Sequence, residues 1–76
     1  MNNERRIIIR KAQDLIDDAR AMIEEVASQE QDAFDSLPEG LQQAERGQRM
    51  EEAASNLEDA ANTLQEVFDT LNDCTE

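Results

Sequence analysis

The stretch Asp35-Ser36-Leu37-Pro38-Glu39-Gly40-Leu41 holds the only proline and one of the two glycines in a chain of 76 residues. On its N-terminal side no Gly or Pro interrupts the run from Glu4 to Phe34, and on its C-terminal side the only other glycine is Gly47. Proline lacks an amide donor and clashes inside a helix, so a lone proline between two long helix-forming runs marks a bend. Ser36 followed three residues later by Glu39, with Pro38 in the first turn, reads as a capping box opening a new helix. Leu37 and Leu41 are spaced to fold over the end of the resulting hairpin. Gly47 either marks the passage from a short turn of helix into the second long helix or is tolerated within it.

Working outward, the first arm carries apolar residues at helical spacing from Glu4 to about Phe34. Ile8, Leu15 and Met22 repeat every seven residues, as do Ala12, Ala19, Val26 and Ala33. A third row, Ile9, Ile16 and Ile23, lies one residue after the first. The β-branched triplet Ile7-Ile8-Ile9 favours strand locally, but the surrounding period is helical. In the second arm Met50, Leu57, Leu64 and Leu71 form one row, Ala53, Ala60, Val67 and Cys74 a second, and Ala54, Ala61 and Phe68 a third. The pattern predicts one all-α domain over residues 1–76, an antiparallel, coiled-coil-like two-helix hairpin. Its first helix spans about 4–34, its bend 35–42 and its second helix about 43–72, with residues 1–3 and the C-terminus frayed.

The expected register pairs Ile8 with Leu71, Leu15 with Leu64, Met22 with Leu57 and Val26 with Ala53. It brings Arg5, Arg6, Arg10 and Lys11 beside Glu66, Asp69 and Asp73, and Arg46 and Arg49 beside Glu25, Glu30 and Asp32. Each such pair contributes about 0.2–1 kcal/mol and serves mainly to select register. In that register one flank is left apolar, with Ile9, Ile16 and Ile23 against Ala54, Ala61 and Phe68. Monomers rarely expose a continuous apolar patch of that length. The expectation is that a second copy covers it, giving a homodimeric four-helix bundle. In the alternative, the three isoleucines widen the core of a monomer.

Composition bounds the function. The 19 acidic and 7 basic residues give a formal net charge of −12, which repels nucleic acid and anionic membranes and favours basic partners. No apolar run is long enough for a transmembrane span or a signal-peptide core. There is no His, no Trp and no Tyr. That removes His-based acid–base relays, His metal sites and the Glu-x-x-His signature of di-iron bundles. No calcium-loop pattern and no glycine-rich phosphate loop occurs. Neighbouring acids such as Asp17-Asp18 and Glu51-Glu52 face solvent on a helix and do not form a pocket pair. Cys74, the single cysteine, has no base nearby in the sequence and fits a reducing compartment with an incidental role. No catalytic, cofactor or metal site is expected, and the protein is not read as an enzyme.

The surface that remains is acidic. Asp14, Asp17, Asp18, Glu24 and Glu25 on the first helix, with Glu51, Glu52, Glu58 and Asp59 on the second, form the candidate protein-binding face, and no basic residue follows Arg49. Such carboxylates most often do no more than keep a small helical protein soluble. Taken as an array they suggest more. A helix of 30 residues spans ~45 Å, and duplex DNA carries one charge per ~1.7 Å of axis. A dimer of this chain approaches that density to within a small factor, so it could occupy a cationic groove built for nucleic acid.

The run Phe34-Asp35-Ser36-Leu37-Pro38-Glu39-Gly40-Leu41-Gln42, with Glu45-Arg46-Gly47 and Met50-Glu51-Glu52-Ala53 after it, resembles short acidic proteins carried by tailed phages and prophages. The similarity covers Phe34 to about Leu71. In that family a Ser often precedes the Glu-Arg-Gly and acts as a helix N-cap; Ala44 stands there in this chain. The resemblance implies a phage or mobile-element origin and a place in the host cytoplasm, and carries no assigned activity. By analogy with small acidic phage proteins that inhibit host-defence nucleases, it implies a non-enzymatic protein that binds and blocks a host protein with a basic surface. The alternatives are a structural or assembly module, or an adaptor that binds a partner helix on its apolar flank.

Overall fold

A computed structural model covering residues 1–76 is all-helical. Helix α1 runs Asn3–Asp35, α2 Glu39–Gln42 and α3 Glu45–Thr75. The two long helices pack along their lengths and run antiparallel: Arg6 lines the same cleft as Thr75, Gln13 bonds to Phe68 and Asn72, and Ala27 lies by Ala54. The Cα trace is a rod of 58 × 14 × 13 Å.

The ends of α1 are held by local polar groups. Asn2 is the N-cap, its Oδ1 accepting from the Arg5 amide at 2.9 Å, so the first residues are tied where fraying was expected. At the other end Ser36 is the C-cap of α1. Its hydroxyl donates back to Asp32 O at 2.8 Å instead of capping a following helix. The expected capping box with Glu39 therefore does not form; the N-cap of α2 is Pro38, with no side-chain bond. The physical reason is competition: the free carbonyls at the end of a long helix attract the serine hydroxyl. Gln42 Nε2 donates to Phe34 O at 3.1 Å and ties α2 to the end of α1. Leu37 is half-buried, whereas Leu41 is exposed and does not close over the end.

Helix α3 starts at Glu45, with Ala44 as an N-cap that offers no side-chain bond. Gly47 is its third residue and is buried against the backbone of α2. It belongs inside the helix, and its lack of a Cβ lets the α2 turn close down on it. At its C-terminus α3 continues to Thr75, beyond the expected end.

The seam between α1 and α3 is narrow. Only Gln13 and Ala27 of α1 and Gly47, Ala54 and Ala61 of α3 are buried. Ala54 and Ala61, seven residues apart on α3, are small enough to let α1 pack closely on it, while Gly47 packs against α2. Around them Ile9, Ile16, Ile23 and Phe34 of α1, and Met50, Leu57, Leu64, Phe68 and Leu71 of α3, are half-buried. The register differs from the expected one. Gln13 Nε2 donates to Phe68 O at 3.1 Å and to Asn72 Oδ1 at 2.6 Å, and Ala27 rather than Val26 lies by Ala54. Leu15 faces solvent instead of Leu64.

Candidate functional site: an acidic groove and an apolar flank

Rotation of α1 about its axis decides what the surface offers. Ile9, Ile16 and Ile23, expected on an uncovered flank, are part of the intrachain seam, and so are Ala54, Ala61 and Phe68. The row expected inside is outside: Ile8 is 65% exposed and Leu15 and Met22 67% each. On α3 the row Ala53, Ala60, Val67 and Cys74 is likewise exposed. The apolar flank exists, but it is built from the other rows.

Each seam residue has one neighbour on either side, turned by about 100° in opposite senses. The residue before carries no carboxylate and is apolar along the isoleucine row and the Ala61–Phe68 row: Ile8 before Ile9, Leu15 before Ile16, Met22 before Ile23, Ala60 before Ala61, Val67 before Phe68; Asn56, Thr63 and Thr70 precede Leu57, Leu64 and Leu71. The residue after is polar: Asp17 after Ile16, Glu24 after Ile23, Ser55 after Ala54, Asp69 after Phe68. In an antiparallel pair the same sense of rotation in both helices points to the same flank. The rod therefore has a carboxylate-bearing side and an apolar side, divided by the seam.

The carboxylate side holds an open groove of roughly 740 Å³ between α1 and α3. Glu24, Asp32, Glu58 and Asp59 line it, with Ser28, Gln31 and Ser55 between them. A second, smaller hollow on α3 is lined by Gln48, Glu51, Glu52, Ser55 and Asn56. Of the candidate face, Glu24, Glu58 and Asp59 are thus brought together across the two helices, Glu51 and Glu52 sit beside each other on α3, and Asp14, Asp17, Asp18 and Glu25 line neither hollow. All nine are exposed.

Few of these charges are neutralised. Arg20 bridges Asp17 at 2.8 Å and Glu24 at 2.9 Å, and Arg49 pairs with Glu45. The hydrogen bonds that Arg20 donates to Asp17 and then to Glu24 hold its guanidinium further above its usual range, so it is a permanent cation. These three ion pairs all lie within one helix. The expected pairing of Arg5, Arg6, Arg10 and Lys11 with Glu66, Asp69 and Asp73 does not form, nor does that of Arg46 and Arg49 with Glu25, Glu30 and Asp32. The seam's rotation explains it: the acids of α3 follow the seam residues round to the far side, while Lys11 and Arg46 lie on the apolar side. Arg6 instead lines the seam, with its Nε buried and unpartnered.

Gln13 and Arg20 are the residues that the sequence pattern missed. They look like surface residues by type, yet Gln13 is 5% exposed and Arg20 is half-buried. Seven-residue spacing with Ala27 and Phe34 was the available signal. No group of three or more His, Cys, Asp or Glu side chains is placed to hold a metal ion, Cys74 is exposed, and no helix is long and apolar enough to cross a membrane. No protein family, curated protein or solved structure compared with this chain matches it.

Proposed function

We propose that this protein is a non-enzymatic, phage-type interaction protein that acts in the host cytoplasm by occupying a cationic surface of a host protein. A protein that handles nucleic acid, such as a defence nuclease complex, is the target class. The observation that carries this reading is the segregation of charge. Glu24, Asp32, Glu58 and Asp59 converge on one groove, and the salt bridge from Arg20 to Glu24 is the only one made to any of them. Carboxylates strung along a 58 Å rod present an extended line of negative charge, the kind of ligand that a nucleic-acid groove is built to receive. The finer architecture of this reading is a homodimer in which two hairpins make a four-helix bundle.

A second reading, that of an assembly module, is favoured by the exposed row Ile8, Leu15 and Met22, since apolar patches of that extent mark protein contacts. Affinity capture from host lysate separates the two. If carboxylates carry binding, the captured protein elutes steeply with salt and is displaced by duplex DNA. The triple variant Glu24→Gln, Glu58→Gln, Asp59→Asn then binds at least tenfold more weakly. Capture that is indifferent to salt, to DNA and to the triple variant sinks the cationic-surface reading.

A further inference from the structure

We infer that the face bearing Ile8, Leu15, Met22 and Val26 is the contact between two copies of this chain, packed with their loops at opposite ends. This rests on the homodimer proposed above and assigns the surface that makes it. The four side chains are 65%, 67%, 67% and 47% exposed. They fall on one stripe with Ala12 and Ala19, ~27 Å long.

The adjoining strip of α3 supports the same conclusion. Ala53, Ala60, Val67 and Cys74 are joined at helical spacing by Asn56, Thr63 and Thr70. None of these is a carboxylate, in a helix that carries eight of the chain's acids between Glu45 and Asp73. A solvated face in a chain of net charge −12 has no reason to exclude carboxylates over that length. A face that loses its water does, because an unpaired buried charge is strongly disfavoured. The stripe, ~27 Å long on a rod 14 Å wide, presents on the order of 400 Å² per copy, so ~800 Å² in all, the size of a weak, reversible contact.

Self-complementarity identifies the occupant as a second copy and sets its direction. With α1 antiparallel to its mate, Ile8 meets Val26 of the second copy, Ala12 meets Met22 and Leu15 meets Ala19. Large residues face small or medium ones in every layer, which is how facing helices interdigitate. The same direction sets Lys11 beside Glu25 of the second copy, twice by symmetry. A dimer with both loops at one end would instead crowd Arg5, Arg6, Arg10 and Lys11 of the two copies together. The opposed arrangement brings that basic end alongside the acidic loop end of the mate.

Sedimentation of the full-length chain at low ionic strength tests this, with circular dichroism monitoring the fold. Wild type is expected at twice the chain mass, and Leu15→Asp at one chain mass with its helix content retained. Lys11→Glu is expected to weaken association by roughly threefold to tenfold. Adding Glu25→Lys restores it, while adding Glu66→Lys, which changes the net charge equally but lies on α3 away from the face, does not. Within one chain Lys11 and Glu25 are fourteen residues apart along a helix, so rescue requires contact between copies. Wild type at one chain mass at hundreds of micromolar overturns the homodimer and this inference together. A dimer that survives Leu15→Asp, or a Glu25→Lys rescue no better than that of Glu66→Lys, overturns the assigned face and leaves the homodimer standing.

Discussion

Ile16→Asp is expected to unfold the protein, while Leu15→Asp, one residue away, leaves the folded helix pair intact. At sub-micromolar concentration, where association contributes nothing, the first variant should lose most of its helical circular dichroism and the second should match wild type. Ile16 lies in the seam between α1 and α3, and Leu15 is two-thirds exposed. Replacing the isoleucine removes packing of about 2–5 kcal/mol and pushes a carboxylate into the seam, where the cation one turn on, Arg20, is already held by Asp17 and Glu24. A chain of 76 residues has about 4–11 kcal/mol of stability in hand. With no large side chain fully buried, this one belongs toward the low end. An exposed substitution such as Leu15→Asp stays within about 0.5 kcal/mol. If Leu15→Asp unfolds the chain and Ile16→Asp does not, α1 is rotated the other way, and both the acidic groove and the apolar flank are misplaced.

The second large effect is at the glycines, and it has opposite signs at the two positions. Gly47→Ala is expected to destabilise by about 1–3 kcal/mol, although in an unconstrained helix interior alanine is favoured over glycine by ~1 kcal/mol. A Cβ at position 47 would run into the carbonyl oxygen of Leu41 and lie 2.5 Å from that of Gln42. Both are backbone atoms, so the α2 turn itself must shift. Gly40 has nothing within 4 Å of the same atom and no positive φ. Gly40→Ala should therefore stabilise by about 0.4–1 kcal/mol through the unfolded chain. Thermal melts read both: about 4–8 °C per kcal/mol is usual for a domain of this size. A stabilising Gly47→Ala would mean that α2 does not pack on the first turn of α3.

These outcomes bear on how much could be read from the residues alone. Two long helices broken near Pro38 were legible, because nothing else in the chain can stop a helix over those spans. The side of α1 that turns inward was not. Ile8, Leu15 and Met22 share their period with Ile9, Ile16 and Ile23, and spacing cannot rank two apolar rows one residue apart. What ranks them is the partner. On α3 it is Ala54 and Ala61 that are buried, while Ala53 and Ala60 are exposed, and the half-buried isoleucines belong to the same seam. Gln13 fixes the register through Phe68 O and Asn72, a bond between residues far apart in sequence that no local pattern announces. The error moved the apolar flank from one side of the seam to the other without removing it. For the carboxylates, type and exposure were legible, whereas the convergence of Glu24 with Glu58 and Asp59 depended on the register. Ser36 shows the same limit locally: its sequence fits a cap for the next helix, yet its hydroxyl closes the previous one.

The seam itself is the central claim, and interproton contacts in solution test it most directly. The side-chain amide protons of Gln13 are expected to show cross-peaks to Phe68 and Asn72, with slowed exchange with water. Gln13 amide protons without such contacts, together with methyl cross-peaks from Leu15 to Leu64, would contradict it.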